Sequence, residues 1–451
     1  MNKKLFYSKF VSYLFFIVGA VNYGSTQETI QITLGEVLQQ CGANNATIKT
    51  YEAKVVRAKA QLEKDKEWWL PGVFVGAQTH QLMGAAMNGN GNFFLDVNRN
   101  NLWLGLGINA NIDFASGLFQ KKASNYKVRS IAGQSIAVKN QVLLESVHAY
   151  YDLLRIQMEL QVYDFLLAHS DTILEQMKLQ QEAGLRYESD ILMTKSNKAH
   201  LEIKALNTRK NLSKSSSKLV HLLKLKNEVL LISGDSTLVP MPAEIEEYSD
   251  TSFYNRTELG ALKMEVKSLE WERKMHTTGL FIPDLNINAN GGYFGRVNGQ
   301  VSPMDPISNP DSKQLYPTSI YQFSLGWNLP LGSLFYKGDR KKIDGDIRIK
   351  EMEIDAFKEV AKEEIRNANT ELSIGQIQME IAKEAIDLSA KALRQATERQ
   401  KLGIAKPFEI FQSQEFFVNA QLDYLKTVCD YNKAYFSLQV AEGSILGINN
   451  K

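Results

Sequence analysis

Residues that carry chemistry are scarce in this chain. Its 451 residues include two cysteines and six histidines, and the histidines (His80, His148, His169, His200, His221, His276) form no His-Glu-x-x-His pair or other ligand spacing. No phosphate-binding loop is present; Gly89 and Gly91 sit in a Gly/Asn-rich stretch, not at a strand-to-helix turn. An enzyme is therefore not expected, and no cofactor, catalytic residue or metal site is assigned. Charge of one sign is lacking too. The net charge is +2, with Lys and Arg dispersed among Glu and Asp, which excludes a nucleic-acid surface and fits solvated helix faces. Long apolar runs are also missing. The segment 10–21 follows Lys3, Lys4 and Lys9, and its roughly 12 apolar residues fall short of the about 20 that a membrane helix needs. It suits a secretory leader over 1–25, cut near Val18-Gly19-Ala20 or Ser25. No Cys lies just behind it, so a lipid anchor is not expected. A chain of this kind crosses a bilayer with strands or not at all.

What is present is a repetition. Leu70-Pro71-Gly72 opens an alternating apolar/polar run, and Ile282-Pro283-Asp284 opens another. Each is followed by a second alternating run, a glycine (Gly117, Gly332) and a very long helical stretch. Each long stretch is broken once, by Gly184 with Asp190 and by Gly403 with Glu409. The expected organisation is a first repeat over 26–226, a linker or small insertion over 227–256 and a second repeat over 257–451.

The strands carry the clearest pattern. Leu102, Leu104, Leu106, Ile108, Ala110, Ile112 and Phe114 alternate with Trp103, Gly105, Gly107, Asn109, Asn111 and Asp113. Tyr321, Phe323, Leu325, Trp327 and Leu329 alternate with Gln322, Ser324, Gly326 and Asn328, and weaker runs place Asn286 and Asn288 opposite Leu285 and Ile287. Such a period puts the two sets on opposite faces. Small uncharged polar groups on one face suit a water-filled lumen, and aromatics ending the other suit a bilayer interface. The expected lumen residues are Asn109, Asn111, Asp113, Asn286, Asn288, Gln322, Ser324 and Asn328. Hairpin loops are expected at roughly 81–100 and 296–319. Four strands cannot close a barrel alone, and open edges are not tolerated in lipid. Two copies give an eight-stranded barrel too narrow to conduct; three give twelve strands and a channel.

The helices read as coiled-coil seams. Leu34, Val37, Cys41, Asn44, Ile48, Tyr51, Val55, Ala58 and Leu62 are spaced by threes and fours. So are Leu144, Val147, Tyr151, Leu154, Met158, Gln161, Phe165 and Ala168, and again Val418, Leu422, Leu425, Cys429, Asn432 and Phe436. Both cysteines fall on seams, as buried small residues do. The stretch 118–183 as one helix extends on the order of 100 Å. Gly184 and Gly403 suit the left-handed position that ends a helix. Asp190 and Glu409 then lie near the third position of the outgoing helices, and Pro407 at a first position.

These residues make the chain resemble the TolC-like outer-membrane efflux and secretion family. The likeness is carried by Thr33-Leu34-Gly35-Glu36-Val37-Leu38, Asn44-Asn45, Leu70-Pro71, Ile112-Asp113-Phe114-Ala115-Ser116-Gly117 and Ala149-Tyr150-Tyr151-Asp152-Leu153-Leu154. It continues through Gly184 with Asp190, Pro283, Leu329-Pro330-Leu331-Gly332, and Arg399 with Gly403 and Glu409. The resemblance implies an α+β membrane protein built from a duplicated unit of two strands and a long helical hairpin. It implies a homotrimer whose 12-stranded β-barrel in outer-membrane lipid continues into a periplasmic α-helical barrel. It also implies that the hairpin tips, with Gly184, Asp190, Arg394, Arg399, Gly403, Pro407 and Glu409, gate the tube and dock a periplasmic membrane-fusion adaptor. That adaptor would serve an inner-membrane pump of RND, ABC or MFS type. The chain departs from the family at the tips, reading Gln180-Gln181-Glu182-Ala183-Gly184 and Arg399-Gln400-Lys401-Leu402-Gly403 where Arg-Tyr-x-x-Gly is common. Before the second tip it carries Lys391, Arg394 and Thr397 where some members carry acids.

Two other functions are weighed against this one. A periplasmic adaptor has a single helical hairpin and no strands with a polar lumen face, and a coiled-coil stalk needs no polar-lined barrel. His80, Met83 and Met87 lie close in sequence and offer soft-metal ligand types, but a polar external loop accounts for them.

Overall fold

A computed structural model describes residues 28–87, 91–225, 229–242, 252–296, 318–329, 335 and 337–446. The expected leader, Gly332 and most of the second hairpin loop lie outside these residues. Two short strands, β1 (Glu28–Ile32) and β4 (Val229–Ser233), pair in parallel. Four longer ones form an antiparallel sheet in the order β2 (Gly72–Met87), β3 (Phe93–Asp113), β5 (Asp284–Arg296), β6 (Thr318–Asn328). The helices are α1 (Leu34–Asn44), α2 (Ala46–Lys66), α3 (Phe114–Glu182), α4 (Glu188–Leu223), α5 (Thr257–Met275), α6 (Gly338–Lys401) and α7 (Pro407–Ala441). Among the described residues no helix is long and apolar enough to cross a membrane.

Local chemistry starts the helices where the sequence suggests. Thr33 and Glu36 form a reciprocal capping box on α1, and the Asn45 side chain accepts from the Thr47 and Ile48 amides at the start of α2. The seam of α1 and α2 is as expected, with Val37, Cys41, Ile48 and Ala58 buried and its other members half-buried. Cys41 and Cys429 are free and buried, and burial pushes the Cys429 thiol up to about 11.

Helix α3 departs from expectation at its start and along its seam. It begins at Phe114, four residues early, because Asp113, the last residue of β3, caps it, its carboxylate accepting the Ser116 amide at 2.8 Å. Its seam holds from Val147 to Met158 and then rotates. Gln161, Phe165 and Ala168 are exposed, while Tyr163, Leu166, Ser170, Ile173 and Met177 are buried. A 3.5-residue pattern drifts by about 20° per heptad on a 3.6-residue helix, so an extrapolated seam leaves the contact face. Past Met158 the buried row meets Leu201, Ala205, Leu393 and Val418, and nearer the tip Ile191, Ala396 and Ile410.

The main core lies where α1, α3, α4, α7 and β4 meet, around Val37, Val147, Tyr150, Leu153, Leu219, Leu231 and Val428. The segment expected as a linker contributes β4 to it and is fastened by side chains. The Tyr150 hydroxyl bonds to Ser233 Oγ at 2.8 Å and donates to Asp235, and Asn432 holds the Met241 amide and the Val239 carbonyl. Burial and the Asp235 contact keep the Tyr150 phenol well above its usual range.

The strands are longer than expected. Gln81 to Gly84 pair with Asn100 to Val97, so most of the 81–100 stretch expected as a loop is ladder, interrupted by a bulge between Gly84 and Ala86. Strand propensity is weak in Gly- and Asn-rich sequence, and pairing context overrides it. Of the three soft-metal ligand types noted near this turn, the side chain of His80 lies outside the described residues.

Candidate functional site: a two-faced sheet and a clasped helical tip

The register sorts the sheet into two chemically distinct faces. Asn109, Asn288 and Ser324 form one row, Asn111 and Asn286 lie beside Gly326 in the next, and Asp113, Asp284 and Asn328 close the end. Gln322 stands beside Asn290 in the row above. All eight expected lumen residues therefore share a face. The opposite face carries Val73, Val75, Leu104, Leu106, Ile108, Tyr293, Tyr321, Phe323, Leu325 and Trp327, all exposed. An uncovered apolar surface of this extent marks contact with a partner or a membrane.

The polar face also holds two rings: Trp103, which the alternation along its strand already places there, and Phe74, which was not singled out from the sequence. Phe74 lies over Gly107 and Trp103 over Gly105, where an added Cβ would meet the rings at 2.4 and 2.8 Å. The ring centroids are 6.1 Å apart. Parity alone could have placed Phe74 as well, since it is in step with Gly76 and Gln78.

At the far end of the helices, two turns share one geometry. In the first, the Gly184 amide donates to Gln181 O and the Leu185 amide to Gln180 O, both at 2.8 Å. In the second, Gly403 donates to Gln400 O and Ile404 to Arg399 O, both at 2.9 Å. Both glycines have φ of 76°, so each long helix ends in a Schellman turn that glycine alone adopts without strain. Asp190 and Glu409 occupy the third position of α4 and α7, and Pro407 the first of α7. Neither outgoing helix has a side-chain cap, so each acid faces the positive end of its helix. Arg186 reaches Asp190 at 3.8 Å and Arg399 reaches Glu409 at 3.1 Å.

The two turns are clasped together by residues the sequence did not reveal. Gln180 Nε2 donates to Gln400 O at 3.0 Å, which also accepts the Gly403 amide, and to Lys401 O at 3.3 Å at the end of α6. Arg186 donates to Gln180 Oε1 at 3.2 Å and to Ala405 O at 2.5 Å. Its side chain is only 7% exposed. Arg394 lies exposed on α6, outside the clasp. The outer surface of the turns is apolar, with Leu185, Tyr187, Leu402, Ile404 and Phe408 all exposed. Among the described residues, no cluster of His, Cys, Asp or Glu is able to hold a metal ion.

No protein-family model matches the chain, and no curated protein matches it. Solved structures do. The chain superposes on the CmeC outer membrane channel of Campylobacter jejuni with a TM-score of 0.70 at 16% identity, covering 94% of this chain and 91% of that one. For the outer membrane protein VceC of Vibrio cholerae the TM-score is 0.70 at 14% identity, covering 91% and 96%. For CusC, whose structures concern transmembrane channel formation, it is 0.73 at 13% identity, covering 94% and 95%. At such identities the likeness is one of fold, and it runs the length of the chain.

Proposed function

We propose that this chain is the outer-membrane channel of a tripartite efflux or type I secretion system. The observation that carries this is the sheet, which has one amide-lined face, one exposed apolar face and, among the described residues, no strand beyond β2 or β6. Such a sheet is stable in lipid only when its edges are closed by further strands. Three copies supply twelve, with the apolar face against lipid and the asparagine rows around water. The apolar residues Ile203 and Leu206 on α4 and Ile374, Ile377 and Ile381 on α6 are exposed in the single chain, which supports assembly through the helices as well.

In this reading the protein is a homotrimer of two repeated units, 26–226 and 257–451, with 227–256 inserted between them and 1–25 removed as a leader. The barrel lies in the outer membrane of a Gram-negative cell and the helices form a tube in the periplasm. The tip is the gate and docks a membrane-fusion adaptor, whose pump (RND, ABC or MFS type) supplies the energy. The conduit itself is passive and its wall is set by Asn109, Asn111, Asp113, Asn286, Asn288, Gln322, Ser324 and Asn328. The test is the protein-only mass of the detergent-solubilised particle by light scattering, with conductance of the same sample in planar bilayers. A mass close to three chains with conducting events is expected; a stable monomer would sink the channel reading.

A further inference from the structure

Close to the clasp, one side chain from each of four helices joins a single file of hydrogen bonds. Asn197 of α4 donates to Gln414 Oε1 of α7 at 3.1 Å. Gln414 Nε2 lies 3.1 Å from His169 Nδ1 of α3 and donates also to Ser170 Oγ at 3.3 Å. His169 Nε2 lies 3.4 Å from Thr397 Oγ1 of α6, whose hydroxyl donates to Leu393 O at 2.7 Å. Gln414, Ser170 and Thr194 beside them are buried. The donors all point one way, from Asn197 to Leu393, and this direction requires a neutral imidazole with Nδ1 bare and Nε2 carrying its hydrogen. We infer that this file is a proton-sensitive latch, which ties the α3–α4 hairpin to the α6–α7 hairpin while His169 is neutral and lets them part when it is protonated. The purpose assigned to it, regulation of the gate, rests on the channel reading above.

A proton on Nδ1 sets two N–H groups against each other at the Gln414 contact. Restoring the bond requires the buried Gln414 amide to turn over, which then reverses the Asn197 contact as well. The added charge also lacks an anion. From α6 the charged group that reaches the imidazole is Lys401, itself paired with Glu398 at 3.0 Å. From α4, Lys198 is engaged by Asp171 and Glu202. Helix α7 offers the Gln414 amide, and α3 itself offers the Phe165 ring stacked at 6.4 Å. Among the described residues no carboxylate bonds to the imidazole. Burial, and after it Lys401, accordingly hold His169 below its ordinary value.

The sign follows from linkage. A parted His169 titrates near 6.5 and a latched one lower, so the parted form binds the extra proton. Above about pH 6.5 the latch is indifferent to pH; below it, closure weakens until the latched value is passed. A depression of one pH unit corresponds to about tenfold in the closed-to-parted ratio.

The test uses full-length, detergent-solubilised protein with nitroxides at Leu185→Cys and Ile404→Cys, both exposed at the turns. The spin–spin distance is measured at about pH 7.5 and about pH 5. In the parent a longer-distance population grows several-fold at the lower pH, and His169→Gln, which keeps an amide in the file but does not titrate, removes that growth. Asn197→Asp is the second variant. Its carboxylate turns the Gln414 carbonyl toward the imidazole and supplies the missing anion, so the tip stays closed at about pH 5. A parent with no response, or either variant opening as the parent does, overturns the latch. None of these results bears on mass or conductance, so failure of the latch is distinguishable from failure of the channel reading.

Discussion

The two helical tips fold alike and do different work. Each ends a long helix with a glycine at φ 76° and starts the next with an acid at the third position. Yet the bonds between them run one way. The first tip supplies side-chain donors, Gln180 and Arg186, and the second supplies backbone carbonyls of Gln400, Lys401 and Ala405. An acceptor made of backbone is indifferent to side-chain identity, whereas a donor made of side chains is not. Similar turns thus need not be equivalent targets for mutation.

That asymmetry can be attacked directly by following hydrogen exchange of the tip amides in the purified full-length protein. The largest effect is expected for Arg186→Ala, which removes a shielded charged donor from both tips and should cost about 2–3 kcal/mol of local stability. Gly184→Ala and Gly403→Ala come next, at about 1–2 kcal/mol each. Neither added Cβ would meet anything within 4 Å, so the cost is that of the left-handed backbone alone and should be the same at both sites. Unequal losses would mean that the turns differ in more than their partners. Arg399→Ala should be the mildest, at about 0–1 kcal/mol and fading in high salt. Its side chain is 55% exposed and that of Glu409 is 38% exposed. A larger loss from Arg399→Ala than from Arg186→Ala would invert the assignment of donor and acceptor tips.

Legibility in the sequence tracked the range of the interaction. Gly184, Gly403, Pro407 and the N3 acids were readable because a turn is decided within a few residues. The polar face of the sheet was readable because period two survives along each strand whatever its neighbours are. The clasp was not, since Gln180 meets carbonyls 220 and 221 positions away and no local pattern announces it. Phe74 had the right parity but was hidden by its type, as rings are expected on the apolar side and here one covers Gly107 instead. The displaced seam after Met158 is a third case: the helix was evident, but the facing partner decides which side is buried.

One feature of α3 bears on mechanics. Strand β3 ends at Asp113 and α3 begins at Phe114, with no residue between them free to act as a swivel. Trp68 packs edge-on against Phe114, and its ring fills the space over Gly117, where a Cβ would come within 2.1 Å. A 69-residue rod of about 100 Å is thus clamped directly at the sheet end, while its other end is held through the clasp and the side chains of neighbouring helices. It behaves as a cantilever: small torques at the tip become large sideways travel there and almost none at the sheet. The sheet end can hold its place while the far end of the same helix moves.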